Sequence, residues 1–282
     1  MVLLRIRKYI VPGLLVVLTV GFILPILFTV IGSVMTPSEV SGRFQSDGAK
    51  FGQPYGLTLI PGRVTLSQFY SLLIENLSYL GMFWNSVFYA GAITVLANII
   101  IIPAAFVFAK IKFRGSNILF FIFILTMMMP FQVTLLPVYI TLSRTNLLNT
   151  VWSLILPSVF APLGVFLLRQ YMLGIPDEYL EAASLETNSA FHILWYIVIP
   201  TAKNGIIAMS ILVFAEAWNM VEQPLLFLSD TVKYPLSAAM NSIISSNLDV
   251  SFSGSILFLA PIVSLYLFFE EQIVEGLENF KW

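Results

Sequence analysis

The sequence predicts an all-α integral membrane protein with six transmembrane helices, and three observations support this prediction. Hydrophobic residues make up 58% of the 282 residues and charged residues only 10%, whereas a soluble domain carries about 25% charged residues. Five stretches of about 20 residues or more contain no charge, which is the length that a helix needs to cross a bilayer. A sixth stretch is apolar apart from two glutamates.

The first apolar stretch follows Arg5, Arg7 and Lys8, as in a secretory signal. It is longer than the apolar core of a signal peptide and no small-x-small cleavage site ends it, so we expect a retained helix. The six predicted spans, in chain order, are Tyr9–Val34, Met82–Ala109, Gly115–Ser143, Thr145–Leu168, Asn204–Leu228 and Val250–Phe269.

These spans divide the chain into three regions. Residues 1–35 form the N-terminal transmembrane helix, and residues 36–80 form an external segment with a short helix near Leu66–Ile74. Residues 81–282 form a core of five transmembrane helices, which contains a cytoplasmic loop at 174–203. Prolines inside the spans predict kinks, because each removes one backbone hydrogen bond.

The distribution of lysine and arginine favours a cytoplasmic N-terminus and C-terminus. In this orientation nine basic residues face the cytoplasm and five lie outside. The cluster Lys110, Lys112 and Arg114 is the stronger indication, since it lies in a very short loop. The protein is therefore expected to be a multi-pass protein of the cell membrane, either a plasma or an inner membrane.

Composition also excludes several classes of site. The net charge of −1 gives no indication of nucleic-acid binding. The chain has no cysteine and a single histidine, His192, which excludes disulfides, thiolate metal sites and histidine-rich metal sites. No Gly-x-x-x-x-Gly-Lys-Ser/Thr phosphate loop is present, so we expect no ATP hydrolysis by this chain.

The loop at 174–203 carries the most informative pattern. Pro176 suits the start of a helix, and Asp177 follows at the positive end of the helix dipole. Four residues then share one face at i, i+3, i+4 and i+7. These residues are Glu178, Glu181, Ala182 and Leu185. An acidic spot beside small residues, between two spans, is typical of a docking element.

The spacing of this loop resembles that of permeases of ATP-binding-cassette (ABC) importers. These carry E-A-A-x-x-x-G, then nine residues, then I-x-L-P. Here the same spacing runs from Glu181-Ala182-Ala183 through Thr187 to Ile197-x-Ile199-Pro200. Thr187 replaces the usual glycine, and we expect Thr187-Asn188 to make the turn instead, since asparagine tolerates a left-handed conformation.

Further motifs narrow the resemblance to the second permease subunit of the maltose-type carbohydrate importers, over roughly residues 1–280. This resemblance implies the type I importer permease fold with a cytoplasmic coupling helix. The motifs are Met129-Pro130-Phe-Gln-Val, Pro137-Val-Tyr139, Asn149-Thr150, Leu156-Pro157, Phe166-Leu-Leu-Arg169-Gln170, Pro61 with Thr65-Leu66, Trp218-Asn219 with Pro224-Leu225, and Ile273-Val-x-Gly276-Leu277.

The resemblance also implies the partners. They are a second homologous permease, two copies of an ABC ATPase that uses ATP and Mg, an external solute-binding protein and a sugar. This subunit itself would bind no cofactor and no metal. The residues implied in coupling to the ATPase are Glu178, Glu181, Ala182, Ala183, Leu185, Thr187 and Pro200.

Polar residues in the predicted fifth span are candidates for the translocation pathway. Glu216, Asn219 and Glu222 follow at i, i+3 and i+6, which places them on one helix face, and Trp218 or Tyr139 offers an apolar ring face to a sugar. A carboxylate costs at least about 2.5–3.5 kcal/mol in a membrane, so these groups face a partner or a water-filled cavity. Pairing between helices and lining of the pathway both satisfy this requirement.

Three other functions are alternatives to sugar import. An ion-coupled secondary transporter predicts symmetry between the halves of the chain, and no internal repeat is evident. An ABC permease for a non-sugar solute stays open, because pocket chemistry is not legible from the sequence. A membrane-embedded enzyme lacks a Ser/His/Asp set or a metal cluster.

Overall fold

A computed structural model describes residues 2–44, 61–240 and 248–278, and these residues contain helices and turns but no β-strand. Residues 45–60 of the predicted external segment and residues 241–247 lie outside the described residues. The chain divides into two compact units: Met1–Leu80 with Ala239–Ala260, and Gly81–Ala238 with Pro261–Trp282.

The helices are α1 (Val2–Ser33), α2 (Pro37–Phe44), α3 (Ser67–Tyr70), α4 (Leu77–Lys110), α5 (Ser116–Met127), α6 (Phe131–Arg144), α7 (Trp152–Val159), α8 (Pro162–Leu173), α9 (Asp177–Glu186), α10 (Ala190–Thr201), α11 (Lys203–Trp218), α12 (Glu222–Phe227), α13 (Leu248–Phe268) and α14 (Glu270–Glu278). A π-helical turn, Ser71–Glu75, extends α3, which confirms the short helix predicted near Leu66–Ile74.

Four helical stretches are long and apolar enough to cross a membrane. They are Pro12–Ser33, Leu77–Lys110, Trp152–Leu173 and Val250–Phe268. Two pairs pass the same test together but are sharply bent, by 99° between α5 and α6 and by 83° between α10 and α11. The described residues therefore hold four spans, or six if each bent pair is one span, and the count of six stays a prediction.

The third, fourth and fifth predicted spans are not the continuous helices that the charge-free runs indicated. The fourth begins at Trp152 and is interrupted between Val159 and Pro162. α5 ends at Met127 and α6 begins at Phe131, because Pro130 lacks an N–H and has an extended ψ of 132°. The fifth span does not reach Leu228, because α11 ends at Trp218. Prolines inside α4, α6, α7 and α13 leave those helices continuous.

In the first unit, Gln68 ties the segment after residue 60 to the end of α1. Its buried Nε2 donates to the carbonyls of Gly32 (3.2 Å) and Met35 (2.7 Å). The ring of Phe252 packs directly on Gly32, where an added Cβ would lie 2.7 Å from the ring. The Gln68 hydrogen bonds hold α3 to the end of α1, and the Phe252 contact holds α13 there.

In the second unit, distances along α4 indicate how far apart its contacts lie across the membrane. Near its start, Asn85 donates to the carbonyls of Val232 and Tyr234 at 2.8 and 3.1 Å. Lys110, its last residue, bonds to Asp177. The helix between Asn85 and Lys110 is roughly 37 Å long at about 1.5 Å per residue, which exceeds a hydrocarbon core of about 30 Å. The segment around 232–234 and helix α9 therefore lie at opposite ends of a membrane-crossing helix.

Candidate functional site

Helix α9 forms the centre of the loop at 174–203, hereafter the E-A-A loop. Pro176, with φ −59° and ψ 138°, stands immediately before the helix, and Asp177 and Glu178 occupy its first turn. This arrangement confirms the predicted helix start, since proline needs no hydrogen-bond acceptor there and acidic side chains favour the positive end of the helix.

The predicted docking face of α9 is open to solvent. Glu178, Glu181, Ala182 and Leu185 are all exposed, and the side chain of Leu185 is 89% exposed. Ala183 is buried at 7% exposure, so it packs against its own chain. Of the two alanines that were expected to admit a partner surface, only Ala182 is available to one in this conformation.

Lys110 fastens α9 to the end of α4. Its Nζ donates to the carbonyl of Ile175 and to Oδ1 of Asp177, both at 2.6 Å, although the lysine side chain is only 6% exposed. The hydrogen bond from Lys110 and then its charge lower the pKa of the Asp177 carboxyl, and the charge of Lys112 adds to this. Because the pKa is lowered, the ion pair contributes its full stabilisation above the ordinary carboxyl pKa of about 4, and this contribution is lost as the pH falls through the lowered pKa of Asp177.

Replacing Lys110 by methionine is expected to loosen the start of α9, because the carbonyl of Ile175 and the carboxylate of Asp177 lose their shared donor. Hydrogen exchange of the amides of residues 174–190 in the solubilised protein should become several-fold faster. The matched control is Lys112→Met, since Lys112 is exposed and influences Asp177 only through its charge. Equal exchange in both variants would contradict the role of Lys110.

Thr187 replaces the usual glycine without backbone strain. Its φ of −149° and ψ of 139° are extended, a conformation that any residue adopts. Its Oγ1 accepts a hydrogen bond from the N–H of Ser189 at 3.2 Å. The expected left-handed Asn188 is wrong, since the described non-glycine residues with positive φ are Asn146 and Asn149. The turn is thus stabilised by the threonine hydroxyl and needs no glycine.

Exposed aromatic residues follow α9, and sequence reasoning missed them. The rings of Phe191 and Trp195 stack with centroids 6.2 Å apart, and both side chains are more than half exposed. Tyr196 is 64% exposed and lies beside His192. The i, i+4 spacing of Phe191 and Trp195 in a loop outside the predicted spans was a signal that could have found this apolar surface. Pro200, also exposed, lies near the end of α10, just before the bend into α11.

A groove of about 770 Å³ runs beside α9. The end of α4, the turn before α5, and α9 itself line it, with Lys110, Lys112, Asp177 and Glu181 among the lining residues. Glu181 is therefore both exposed and next to an open space that could receive a side chain.

The candidate pathway residues do not lie on one helix face. α11 ends at Trp218 and α12 begins at Glu222, so Glu216, Asn219 and Glu222 are separated by a break in the helix. All three are exposed. The indole of Trp218 is fully buried and packs against Phe83 and Phe214, so it does not offer a ring face to a solute in this conformation. Tyr139 lies half-buried on α6.

Two polar residues from the resemblance motifs, Gln132 and Arg169, have clear partners. Nε2 of Gln132 donates to Oε1 of Glu222 at 3.4 Å and joins the start of α6 to the start of α12. Nε of Arg169 donates to the carbonyl of Phe108 at 3.1 Å, while its guanidinium lies 4.0 Å above the Phe120 ring. Arg169 thus caps the end of α4 beside Lys110.

Within the described parts of the chain, no group of three or more His, Cys, Asp or Glu side chains is placed to hold a metal ion. The exposed groups at both candidate regions are suited to hydrogen bonding and ion pairing.

Comparison with known proteins gives consistent matches. Residues 97–277 match the family described as binding-protein-dependent transport system inner membrane component. The arabinooligosaccharides transport system permease protein AraQ of Halalkalibacterium halodurans is 31% identical over 227 residues, covering 79% of this chain and 81% of that protein. The sn-glycerol-3-phosphate transport system permease protein UgpE of Yersinia enterocolitica is 31% identical over 201 residues, covering 70% of this chain and 72% of that one.

A solved structure shares the fold. It is a crystal structure of a bacterial ABC transporter involved in the import of the acidic polysaccharide alginate, and one of its chains aligns with a TM-score of 0.79. The alignment covers 95% of this chain and 96% of that chain at 19% sequence identity.

Proposed function

The chain belongs to the family of binding-protein-dependent transport system inner membrane components, and from this membership we propose that it forms half of the translocation pathway of an ABC importer for a sugar or oligosaccharide. As a member of that family it is a multi-pass membrane permease, a transport subunit and not an enzyme. Its fold is that of an ABC importer permease.

The observation that carries the proposed coupling role is the open face of α9. Glu181, Ala182 and Leu185 are exposed beside a groove of about 770 Å³. Lys110, at the end of α4, bonds to Asp177 of α9. Arg169 of α8 bonds to the carbonyl of Phe108 in α4. A surface that is presented in this way, and backed by a helix that crosses the membrane, is suited to receive a soluble partner and to transmit its motion.

The proposed assembly contains a second homologous permease, two copies of an ABC ATPase and an external solute-binding protein. ATP and Mg act at the ATPase, and this subunit binds neither. Both termini and the E-A-A loop face the cytoplasm, whereas the segment around 232–234 lies at the outer end of α4. The contacts along α4 place these two regions at opposite ends of the helix, and the basic cluster Lys110, Lys112 and Arg114 supports a cytoplasmic position for the end beside the E-A-A loop.

The solute is proposed to be a sugar because of the relative named for arabinooligosaccharides. A second candidate is a non-sugar solute, since another relative of similar identity is named for sn-glycerol-3-phosphate. An uncharged oligosaccharide and an anionic phosphate ester are therefore both compatible with membership of the family.

The test is purification of the tagged chain from its native membrane in mild detergent, with the co-purifying proteins identified by mass spectrometry. We expect a second permease of similar hydropathy and an ATPase with a phosphate loop. The reconstituted complex, supplied with its binding protein, should take up labelled oligosaccharide only when ATP is present.

Two results would contradict the proposal. Recovery of the chain alone or as a homo-oligomer in several detergents, with uptake driven by an ion gradient, would indicate a secondary transporter. A binding protein that takes only non-sugar ligands would favour the second candidate solute.

A further inference from the structure

Helix α10, which follows α9 in the E-A-A loop, is an uncharged helix outside the six predicted spans. From Thr187 to Ala202 the chain has no Asp, Glu, Lys or Arg. The helix covers Ala190–Thr201 and contains a π-helical turn at Leu194–Val198. An apolar run of this length is too short to cross a bilayer and is typical of a buried or an interfacial segment.

Burial divides α10 into an inner face and an outer surface. Leu194 and Val198 are buried against the rest of the chain. Phe191, Trp195 and Tyr196 are each more than half exposed. α10 is therefore not a buried core helix, because it packs on its own chain by one face and presents three aromatic rings outward.

Contacts between the ends of three helices give the depth of α10. Nε of Arg169 in α8 donates to the carbonyl of Phe108, in the last turn of α4 before Lys110. Close by in α8, the ring of Tyr171 packs on Gly205, where an added Cβ would lie 2.5 Å from the ring. Gly205 belongs to the first turn of α11. α10 therefore joins α11 at the level of the end of α4, and that end lies at the edge of the bilayer, since α4 is longer than the hydrocarbon core.

The bend between α10 and α11 gives the orientation of α10. From the level of the end of α4, α11 runs towards the middle of the bilayer. Ser210 of α11 bonds at 3.1 Å to Asn98, which lies roughly 18 Å from the end of α4. The axis of α10 is bent by 83° from that of α11. A helix nearly perpendicular to one that enters the bilayer runs almost parallel to the membrane plane, so α10 stays at the edge of the bilayer along its length.

The side chains on the outer surface suit this depth. Tryptophan and tyrosine are enriched at the headgroup level of membranes, because each combines an apolar ring with one polar group. Trp195 and Tyr196 are neighbours on this surface, and the ring of Phe191 stacks on Trp195 with centroids 6.2 Å apart. Lys203 follows α10 and is exposed at the same level, where its ammonium is suited to lipid phosphates.

The two helices of the E-A-A loop differ in the chemistry that they expose. The open face of α9 carries the carboxylates of Glu178 and Glu181, which are suited to water or to a basic protein surface. The outer surface of α10 has no charged side chain and consists largely of aromatic rings. Together with the depth and orientation of α10, this difference favours lipid over a soluble subunit as the occupant of its outer surface.

We propose that α10 is an interfacial anchor: it lies in the headgroup layer of the leaflet beside the E-A-A loop, with Phe191, Trp195 and Tyr196 at the boundary of the acyl chains. The anchor holds the end of the loop next to α11 at a fixed depth, while α9 is left for the ATPase. Movement of α9 then displaces α11 and does not lift the loop from the membrane. This inference goes beyond the proposed function and does not depend on the identity of the solute.

The first test introduces a photoreactive residue, Trp195→benzoylphenylalanine, into the complete importer in its native membrane. Illumination joins this residue to the molecule that it contacts, and mass spectrometry identifies the adduct. We expect adducts with phospholipid. The matched control is Leu185→benzoylphenylalanine on the open face of α9, where we expect adducts with the ATPase. Leu194→benzoylphenylalanine, at a buried position, should react within its own chain.

The second test measures the fluorescence of Trp195 in the importer reconstituted in phosphatidylcholine and phosphatidylglycerol vesicles. The difference between the wild type and Trp195→Phe isolates the signal of this indole. Because an interfacial helix lies at the boundary between headgroups and acyl chains, lipid with bromine near the headgroup should quench this signal about twofold. Lipid with bromine at the end of the acyl chain should quench it less. Gel filtration of both complexes checks that they are assembled.

Adducts of residue 195 with the ATPase or with the second permease in place of lipid would overturn the proposed anchor and assign the aromatic surface to an interface between subunits. A Trp195 signal that brominated lipid leaves unchanged would overturn it as well. Both results leave sugar import untouched. Conversely, absence of sugar uptake would contradict the proposed function, and absence of ATPase adducts at residue 185 would contradict the coupling role, while the lipid contact of α10 would stand.

Discussion

Replacing Glu181 by lysine is expected to release the ATPase from the purified complex. Glu181 is exposed on α9 and lines the groove beside it, and a basic group of the ATPase is its expected partner. Truncation of one member of a desolvated ion pair costs about 2–5 kcal/mol, which corresponds to a weakening of roughly 30-fold to several thousand-fold. Reversal of the charge also places a cation beside Lys110 and Lys112, which line the same groove.

The measurement is the ratio of ATPase to permease after affinity purification, together with ATP-dependent uptake. The matched control is Glu186→Lys, which makes the same change at another exposed position of α9. Residue 186 lies roughly 140° around the helix axis from residue 181 and does not line the groove. Loss of the ATPase in both variants would indicate general disruption of α9, and retention of the ATPase in Glu181→Lys would contradict the coupling role.

Replacing Gly276 by leucine is expected to displace α14 from α11 and to destabilise the protein strongly. A Cβ at residue 276 would lie 2.8 Å from Cβ of Ala208 and 2.9 Å from the carbonyl oxygen of Asn204. The second contact is with backbone, so rotation of a side chain cannot relieve it. Overpacking of this kind costs about 1–3 kcal/mol. The neighbouring hydrogen bond from Asn204 Nδ2 to Glu275 would be lost as α14 moves.

The midpoint of thermal unfolding in detergent, followed by the fluorescence of the complex on gel filtration, measures this effect. Gly91→Leu serves as the control, because residue 91 also lies inside a helix, α4, and a Cβ there meets nothing within 4 Å. A midpoint for Gly276→Leu that equals that of Gly91→Leu would show that α14 accommodates the side chain by a shift that the static contacts do not reveal.

Several features were legible in the sequence because their causes are local. The start of α9 follows from the proline at 176 and the acidic residues after it, and the exposed face at Glu178, Glu181 and Ala182 follows from helical spacing. The membrane class follows from composition, since a chain with 10% charged residues cannot cover a surface in water. Family membership, confirmed by the comparisons, was indicated by the spacing of the E-A-A loop.

Other features depended on contacts that no local pattern reveals. A charge-free run has the same composition whether its helix is straight or bent by 99°, so the run from 115 to 143 concealed the break before Phe131. The run around Glu216 likewise concealed the end of α11, and with it the separation of Glu216 from Glu222. Trp218 belongs to the core because Phe83 and Phe214 surround it, and Phe83 is distant in the sequence.

The sequence by itself determined that this protein is a helical membrane protein, which family it resembles, and which helix presents the E-A-A motif. These properties depend on composition, on spacing within one helix turn and on the hydrogen bonds that proline cannot make. Only the tertiary structure decided that Ala182 and not Ala183 is available to a partner, that Lys110 holds α9 in place, and that Gln132 lies beside Glu222. The physical reason is that burial and pairing depend on which distant segments pack together, and sequence spacing does not encode that choice.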